Sequence, residues 1–380
     1  MSSPDLTDAD RQAVMDVINT PILSLGPKVV EFEQSFCRYT GAKHAIAVNS
    51  GTAGLHLCVR AAGISAGDLV ITTPFSFVAS TNALLFENAT PVFVDIDPKT
   101  GNIDAGQVAD AIRNIEKWLP RKSASASARL KAILPVDVFG QPAALDTLSA
   151  IAREHGLAFI EDSCEALGAT YKGKLAGTFG DFGIFAFYPN KQITTGEGGL
   201  VITNDDQAAG FMRALRNQGR APGDTWLSHT YLGYNYRLDE MSSALGIAQM
   251  TRLDDMLAKR ETVAGWYSAR LSEIPGIEAP HVAPETTRMS WFVYVIRLDK
   301  AIERTALAKR LETRGVPIRP YFLPIHLQPY MVERFGYREG DYPVTEDLGR
   351  RGVALPFSGV MSEEQVEYVC DALRQEINNG

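Results

Sequence analysis

Three short stretches of this 380-residue chain combine residue types whose chemistry is complementary. The first, Ser50-Gly51-Thr52-Ala53-Gly54, falls between the β-rich run 45–48 and a helical pattern over 53–62 that puts Leu55, Cys58, Val59 and Ala62 on one face. A strand-to-helix turn of this kind offers unpaired N–H groups and the positive end of a helix dipole, which suits a phosphate. Gly51 allows close backbone approach and the Thr52 hydroxyl adds a donor; the bland alternative is a tight turn with Thr52 capping the helix. In the second stretch, Ile160-Glu161-Asp162-Ser163, an apolar strand runs into two carboxylates. Adjacent strand side chains point to opposite faces, so only one of the two can face a ligand and hold a cationic ring nitrogen. A helix cap or surface ion pair is the competing explanation. The third runs from Phe185 to Gly199: aromatics, a halt at Pro189, then Lys191, then a glycine-rich turn before the strand 200–203. A lysine after a strand is ordinarily solvated, but a site that desolvates an ammonium frees the amine to attack aldehydes.

Phosphate turn, carboxylate and lysine within one α/β region match what pyridoxal 5′-phosphate requires: a helix N-terminus, an acid at the pyridine nitrogen and an amine for the Schiff base. Each feature is weak alone, and their conjunction carries the inference. Other chemistries lack support. The six histidines have no ligand spacing, so no metal is expected. No GxGxxG turn follows a strand, and the Walker-like Gly168–Lys174 run is followed by Leu175 where a hydroxyl is needed.

These residues need a scaffold. Between about 42 and 250, strand patterns at 45–48, 69–72, 91–95, 132–136 and 158–161 alternate with helical ones at 53–62, 77–86 and 143–155. That alternation predicts a mainly parallel sheet flanked by helices, with ligands beyond the strands' carboxyl ends. The low-complexity run 121–129 reads as a surface loop. A proline-free helical pattern from 239 to 274, with a possible break near Gly265, leads to a smaller α+β region. Its signals are a strand at 292–296, a helix at 305–314 and a capping box at Ser362–Gln365. The expected division is 1–250, a large cofactor-binding domain, and 251–380, a small C-terminal domain.

Composition is that of an ordinary soluble globular protein: 45% hydrophobic, 22% charged and a net charge of −8, with no basic run that would suit nucleic acid. No apolar stretch is long enough to span a membrane. Four dispersed cysteines and an acidic, polar N-terminus lead us to expect a cytoplasmic setting.

The runs Asn49–Gly54, Glu161–Ala169, Phe187–Lys191, Gly196–Gly199 and Gly233–Leu238 resemble the DegT/DnrJ/EryC1/StrS family of fold-type-I pyridoxal-phosphate enzymes, from about residue 20 to the C-terminus. The resemblance implies aminotransfer from an amino acid, taken as glutamate, to a nucleotide-linked keto-sugar, most often a 4-keto-6-deoxy sugar. It assigns the Schiff base and proton shuttle to Lys191, the ring nitrogen to Asp162, and phosphate contacts to Thr52 and Ala53. Phe77 would stack on the ring and His326 would lie near the sugar nucleotide. Asn235 would reach the phosphate from a neighbouring subunit, implying a homodimer with shared sites. Two positions depart from the family. Ala186 replaces a frequent phosphate-binding serine, with Asn190 a candidate substitute, and Glu165 stands beside the ring oxygen where glutamine or histidine is also frequent. Alternative expectations are amination at C3, a sugar dehydratase (disfavoured because Lys191 is present), or a non-catalytic binding or regulatory protein.

Overall fold

The β-rich runs of the first two hundred residues assemble into one seven-stranded sheet. Its order is His44–Val48, Gly199–Thr203, Phe182–Ala186, Ala158–Asp162, Leu130–Leu134, Leu69–Thr72, Thr90–Phe93. Only Gly199–Thr203 runs against its neighbours; the other strands share one direction. The computed structural model describes residues 3–122, 128–225 and 227–378, so most of the low-complexity run lies outside the described residues. Burial on both sheet faces follows from the near-continuous apolar strands. Ile160, Ile184 and Val201 pack with Leu55 and Leu57 of the helix Gly51–Ala61, whereas Phe159 and Ile133 pack on the opposite side with Leu145 and Leu148 of the helix Leu145–Glu154. The expected α/β layering is therefore present.

Beyond it, the strands Ile277–Glu278, Val295–Leu298, Gly352–Ala354 and Arg319–Pro320 form an antiparallel sheet. Its core joins Tyr267, Tyr294, Leu307, Leu311 and Leu373. The helix Leu253–Leu271 serves both bodies: Leu253, Met256 and Leu257 pack with Phe32 and Phe36, while Val263, Ala264 and Tyr267 belong to the C-terminal core. The chain also returns to the large sheet, where Ile325, Met331, Phe335 and Tyr342 cover Phe93.

Two sequence expectations shift. The long helical pattern breaks at Thr251–Arg252 rather than at Gly265, giving helices Glu240–Met250 and Leu253–Leu271. Arg252 leaves helical geometry at φ −117° and its guanidinium pairs with Asp5 and Asp10, whereas Gly265 meets nothing and stays helical. The strand expected at 292–296 begins three residues later: Trp291 adopts a left-handed φ of 49°, and the Phe292 backbone bonds to Phe139 and Arg260 instead of a neighbouring strand. The capping box forms as expected: the Ser362 N–H reaches Gln365 Oε1 at 3.0 Å and the Gln365 N–H returns to Ser362 Oγ at 3.3 Å.

Candidate active site

Asp162 ends the strand Ala158–Asp162, which lies between two parallel neighbours, so its side chain emerges at the carboxyl edge of the sheet. The two carboxylates divide as alternation requires. Glu161 goes to the other face and accepts the backbone N–H groups of Gly177, Phe179 and Gly180. Asp162 faces a cavity of about 500 Å³, a volume suited to a small-molecule ligand. Its Oδ2 accepts the Ser80 hydroxyl at 2.6 Å and its Oδ1 the Cys164 N–H at 3.2 Å. Nearby Asp137, fully buried and bonded by the Ser163 hydroxyl, is pushed up to about 7 by burial.

The segment carrying the lysine is closed on itself. The Phe187 N–H donates to Gly198 O at 3.0 Å, the Thr195 N–H to Phe187 O at 3.0 Å, and the Lys191 N–H to Tyr188 O at 2.9 Å. Phe185 and Phe187 turn to the core beside Phe32 and Phe36. Lys191, in contrast, enters the cavity, its side chain 13% exposed. Its Nζ lies 3.7 Å from Glu165 Oε1 and 3.8 Å from the Phe292 ring centre. Glu165 is buried and its Oε2 accepts the Phe139 N–H at 2.9 Å. Burial pushes the Glu165 carboxyl up to about 7, against the opposing pull of Lys191.

The turn 50–54 meets the same cavity through Ser50, Gly51 and Thr52. Ser50, not Thr52, caps the helix, its Oγ accepting the Ala53 N–H at 3.1 Å. Gly51 is required by space: a Cβ there would stand 2.8 Å from the Ala186 Cβ and 3.1 Å from Cys164 Sγ. Ala186 thus packs against the helix start. Phe77 is 63% exposed at the cavity, not a core residue, and precedes the helix Ala79–Phe86 rather than opening it. Asn190 also lines the cavity, and its buried Oδ1 has no hydrogen-bond partner among the described residues.

Three expected site residues lie elsewhere. Ala53 sits within the helix, buried, with its N–H committed to the Ser50 cap. Asn235 is exposed on a loop, and its carbonyl accepts from Asn49 Nδ2 at 3.2 Å. His326 is fully buried, with Nε2 3.0 Å from Glu346 Oε1 and its ring against Tyr342. It does not line the cavity; it anchors the segment that presents Tyr321 and Phe322 there. The sequence reading missed Ser80, Phe292, Tyr321 and Phe322. Ser80 carried a signal, one helical turn after Phe77. The aromatics lie over a hundred residues downstream without a motif.

Solved aminotransferases share this architecture. Helicobacter pylori PseC, an aminotransferase involved in the biosynthesis of pseudoaminic acid, superposes with a TM-score of 0.90 at 29% identity, covering 100% of this chain and 99% of that one. Residues 4–374 match the DegT/DnrJ/EryC1/StrS aminotransferase family, and the chain belongs to it. GDP-perosamine synthase from Caulobacter vibrioides is 39% identical over 379 residues, covering 99% of this chain and 97% of the relative. The spore coat polysaccharide biosynthesis protein SpsC of Bacillus subtilis is 35% identical, covering 98% and 95%. The protein is thus a pyridoxal-phosphate-dependent sugar aminotransferase acting on nucleotide-linked sugars. Its cavity fits that cofactor: a glycine-cradled helix start, a hydrogen-bonded carboxylate, a lysine amine and an unpartnered amide oxygen surround one space. Among the described residues no cluster could hold a metal ion, and no helix is long and apolar enough to cross a membrane.

The raised carboxyl has a measurable consequence. A native group near 7, against an ordinary 4.5, stabilises the fold fully below about 4.5 and loses that contribution as pH rises through about 7. In cofactor-free protein, Glu165→Gln should therefore lose less stability than wild type between about pH 5 and about pH 8, by on the order of 2 kcal/mol. Thermal unfolding across that range checks it; parallel Tm–pH curves would contradict the shift.

Proposed function

We propose that this enzyme takes an amino group from glutamate and delivers it to C4 of a nucleotide-linked 4-keto-6-deoxy sugar, in the cytoplasm. The observation that carries the reading is the Lys191 amine, held between the Glu165 carboxylate and the Phe292 ring in the same cavity as Asp162. GDP-linked sugars are the first substrates to assay, since the 39%-identical relative is a GDP-perosamine synthase.

When bound, the cofactor supplies an aldehyde for the amine and an electron-withdrawing ring. The chain's own groups do the rest. The opening turn at Ser50, Gly51 and Thr52 offers N–H groups and a hydroxyl to the phosphate. Asp162, fixed by Ser80, would hold a proton at the ring nitrogen, and Phe77 would cover a ring face. Lys191 Nζ moves the proton to and from the reacting substrate carbon. Glu165, 3.7 Å from that amine, would be its charge partner. Phe292, Tyr321 and Phe322 exclude water from it.

Purified protein incubated with cofactor and borohydride should carry a single label, at Lys191. Lys191→Ala should lower kcat by about 10³-fold or more while leaving the fold intact. Label at another lysine, or unchanged turnover, would remove Lys191 from the mechanism.

The same reading takes Asn235 to act in the site of a second copy. Its support is the exposure of Asn235 on a loop that also exposes Leu227 and Leu232 by 84% and 82%, apolar side chains that a second copy would cover. Mixing the inactive Lys191→Ala and Asn235→Ala proteins should restore up to about a quarter of wild-type activity in re-formed dimers, because one of the two sites is then intact. No recovery in a verified mixed dimer would contradict the shared site.

A further inference from the structure

Arg260 lies midway along the helix shared by the two cores, between the Met256–Leu257 contacts and the Val263–Ala264 contacts. It is 4% exposed, and burial alone accounts for its altered acidity, pushing it down to about 10. It therefore remains charged at neutral pH, and among the described residues no carboxylate pairs with it. A buried guanidinium in that position costs several kcal/mol unless its donors are satisfied. Here the acceptors are main-chain carbonyls from two separate segments. Nη2 donates to Lys191 O at 2.7 Å and Asn190 O at 3.4 Å; Nη1 donates to Trp291 O at 3.0 Å and Phe292 O at 3.3 Å.

Those segments meet again on the cavity side, where the Lys191 ammonium lies over the Phe292 ring. The contacts close a circuit. Lys191 faces Glu165, Glu165 accepts the Phe139 N–H, Phe139 O accepts the Phe292 N–H at 3.2 Å, and Arg260 joins Phe292 back to Lys191. Phe139 in this ring and Trp291, the residue before Phe292 whose carbonyl also accepts from Arg260, have left-handed φ values of 61° and 49°. For bulky residues that geometry costs on the order of 1–3 kcal/mol and persists only where surrounding contacts fix it. A planar fork with donors on two nitrogens can span both segments, whereas a lysine ammonium at the same place is a single point donor.

We propose that Arg260 is a positioning residue: it sets where the Lys191 amine stands by tying the lysine-bearing turn to the segment that carries Phe292. The proposal rests on the reading of Lys191 as the cofactor-binding lysine, which borohydride labelling of the wild type tests separately.

The test compares Arg260→Lys and Arg260→Met with wild type. In cofactor-free protein, the rate at which an amine-acylating reagent modifies Lys191, followed by mass spectrometry, should change by about fivefold or more in both variants, because desolvation and the Glu165 contact govern that reactivity. In loaded protein, the pH midpoint of the cofactor's visible band should move by about half a unit or more. The kcat should fall about 10- to 100-fold with the amino-donor KM within about threefold, as for a misplaced reacting group. Arg260→Lys keeps the charge and guards against simple failure to fold; it should recover most of the Tm lost in Arg260→Met without recovering the midpoint. Wild-type Lys191 reactivity and an unmoved midpoint in a folded Arg260→Lys protein would overturn the proposal and leave Arg260 a structural staple.

Discussion

The Lys191 ammonium is held out of water by a carboxylate on one side and an aromatic ring on another, and the rest of the site is arranged around keeping it there. A lysine prefers solvent, so its burial needs compensation on every side. Glu165 supplies charge, but its own burial makes it reluctant to ionise near neutrality. The Phe292 ring supplies a cation–π contact. Neither contact lasts unless the backbones beneath them are fixed, and those backbones come from distant parts of the chain.

That requirement gives the two-core architecture a purpose. The large sheet alone places Asp162, the helix start at Ser50 and the lysine turn along one edge. Its own aromatic cover is limited to Phe77 and Tyr188. Phe292, Tyr321 and Phe322 come from the C-terminal region, and the chain's return to the large sheet through Ile325 and Met331 keeps that cover in contact with the edge. His326 belongs to this bracing: pairing with Glu346 takes it out of the cavity, while the segment it ends points into it.

Much of the large domain was legible because its physics is local. Strand alternation separated Asp162 from Glu161, and the apolar rhythm located the strands within two or three residues of where they form. The cap was misread because Ser50 and Thr52 are both good capping residues, and only the strand's end point decides between them. Ala53 was assigned to the phosphate from the resemblance, yet the same cap occupies its N–H. What could not be read was non-local. Arg260 sits in an ordinary amphipathic helix, and its carbonyl partners are about 30 and 70 residues away in sequence. His326 had an invitingly polar side chain, and nothing in its neighbourhood foretold that Glu346 would claim it.

The account comes down to a shared space, with one amine and one acid reaching the same coenzyme from neighbouring strand ends. A crystal structure of the protein grown with pyridoxal 5′-phosphate tests this most directly. The account predicts continuous density from Lys191 Nζ into the cofactor, with the ring nitrogen within about 2.7–3.2 Å of an Asp162 oxygen. A ring attached to a different lysine, or lying away from Asp162, would contradict it.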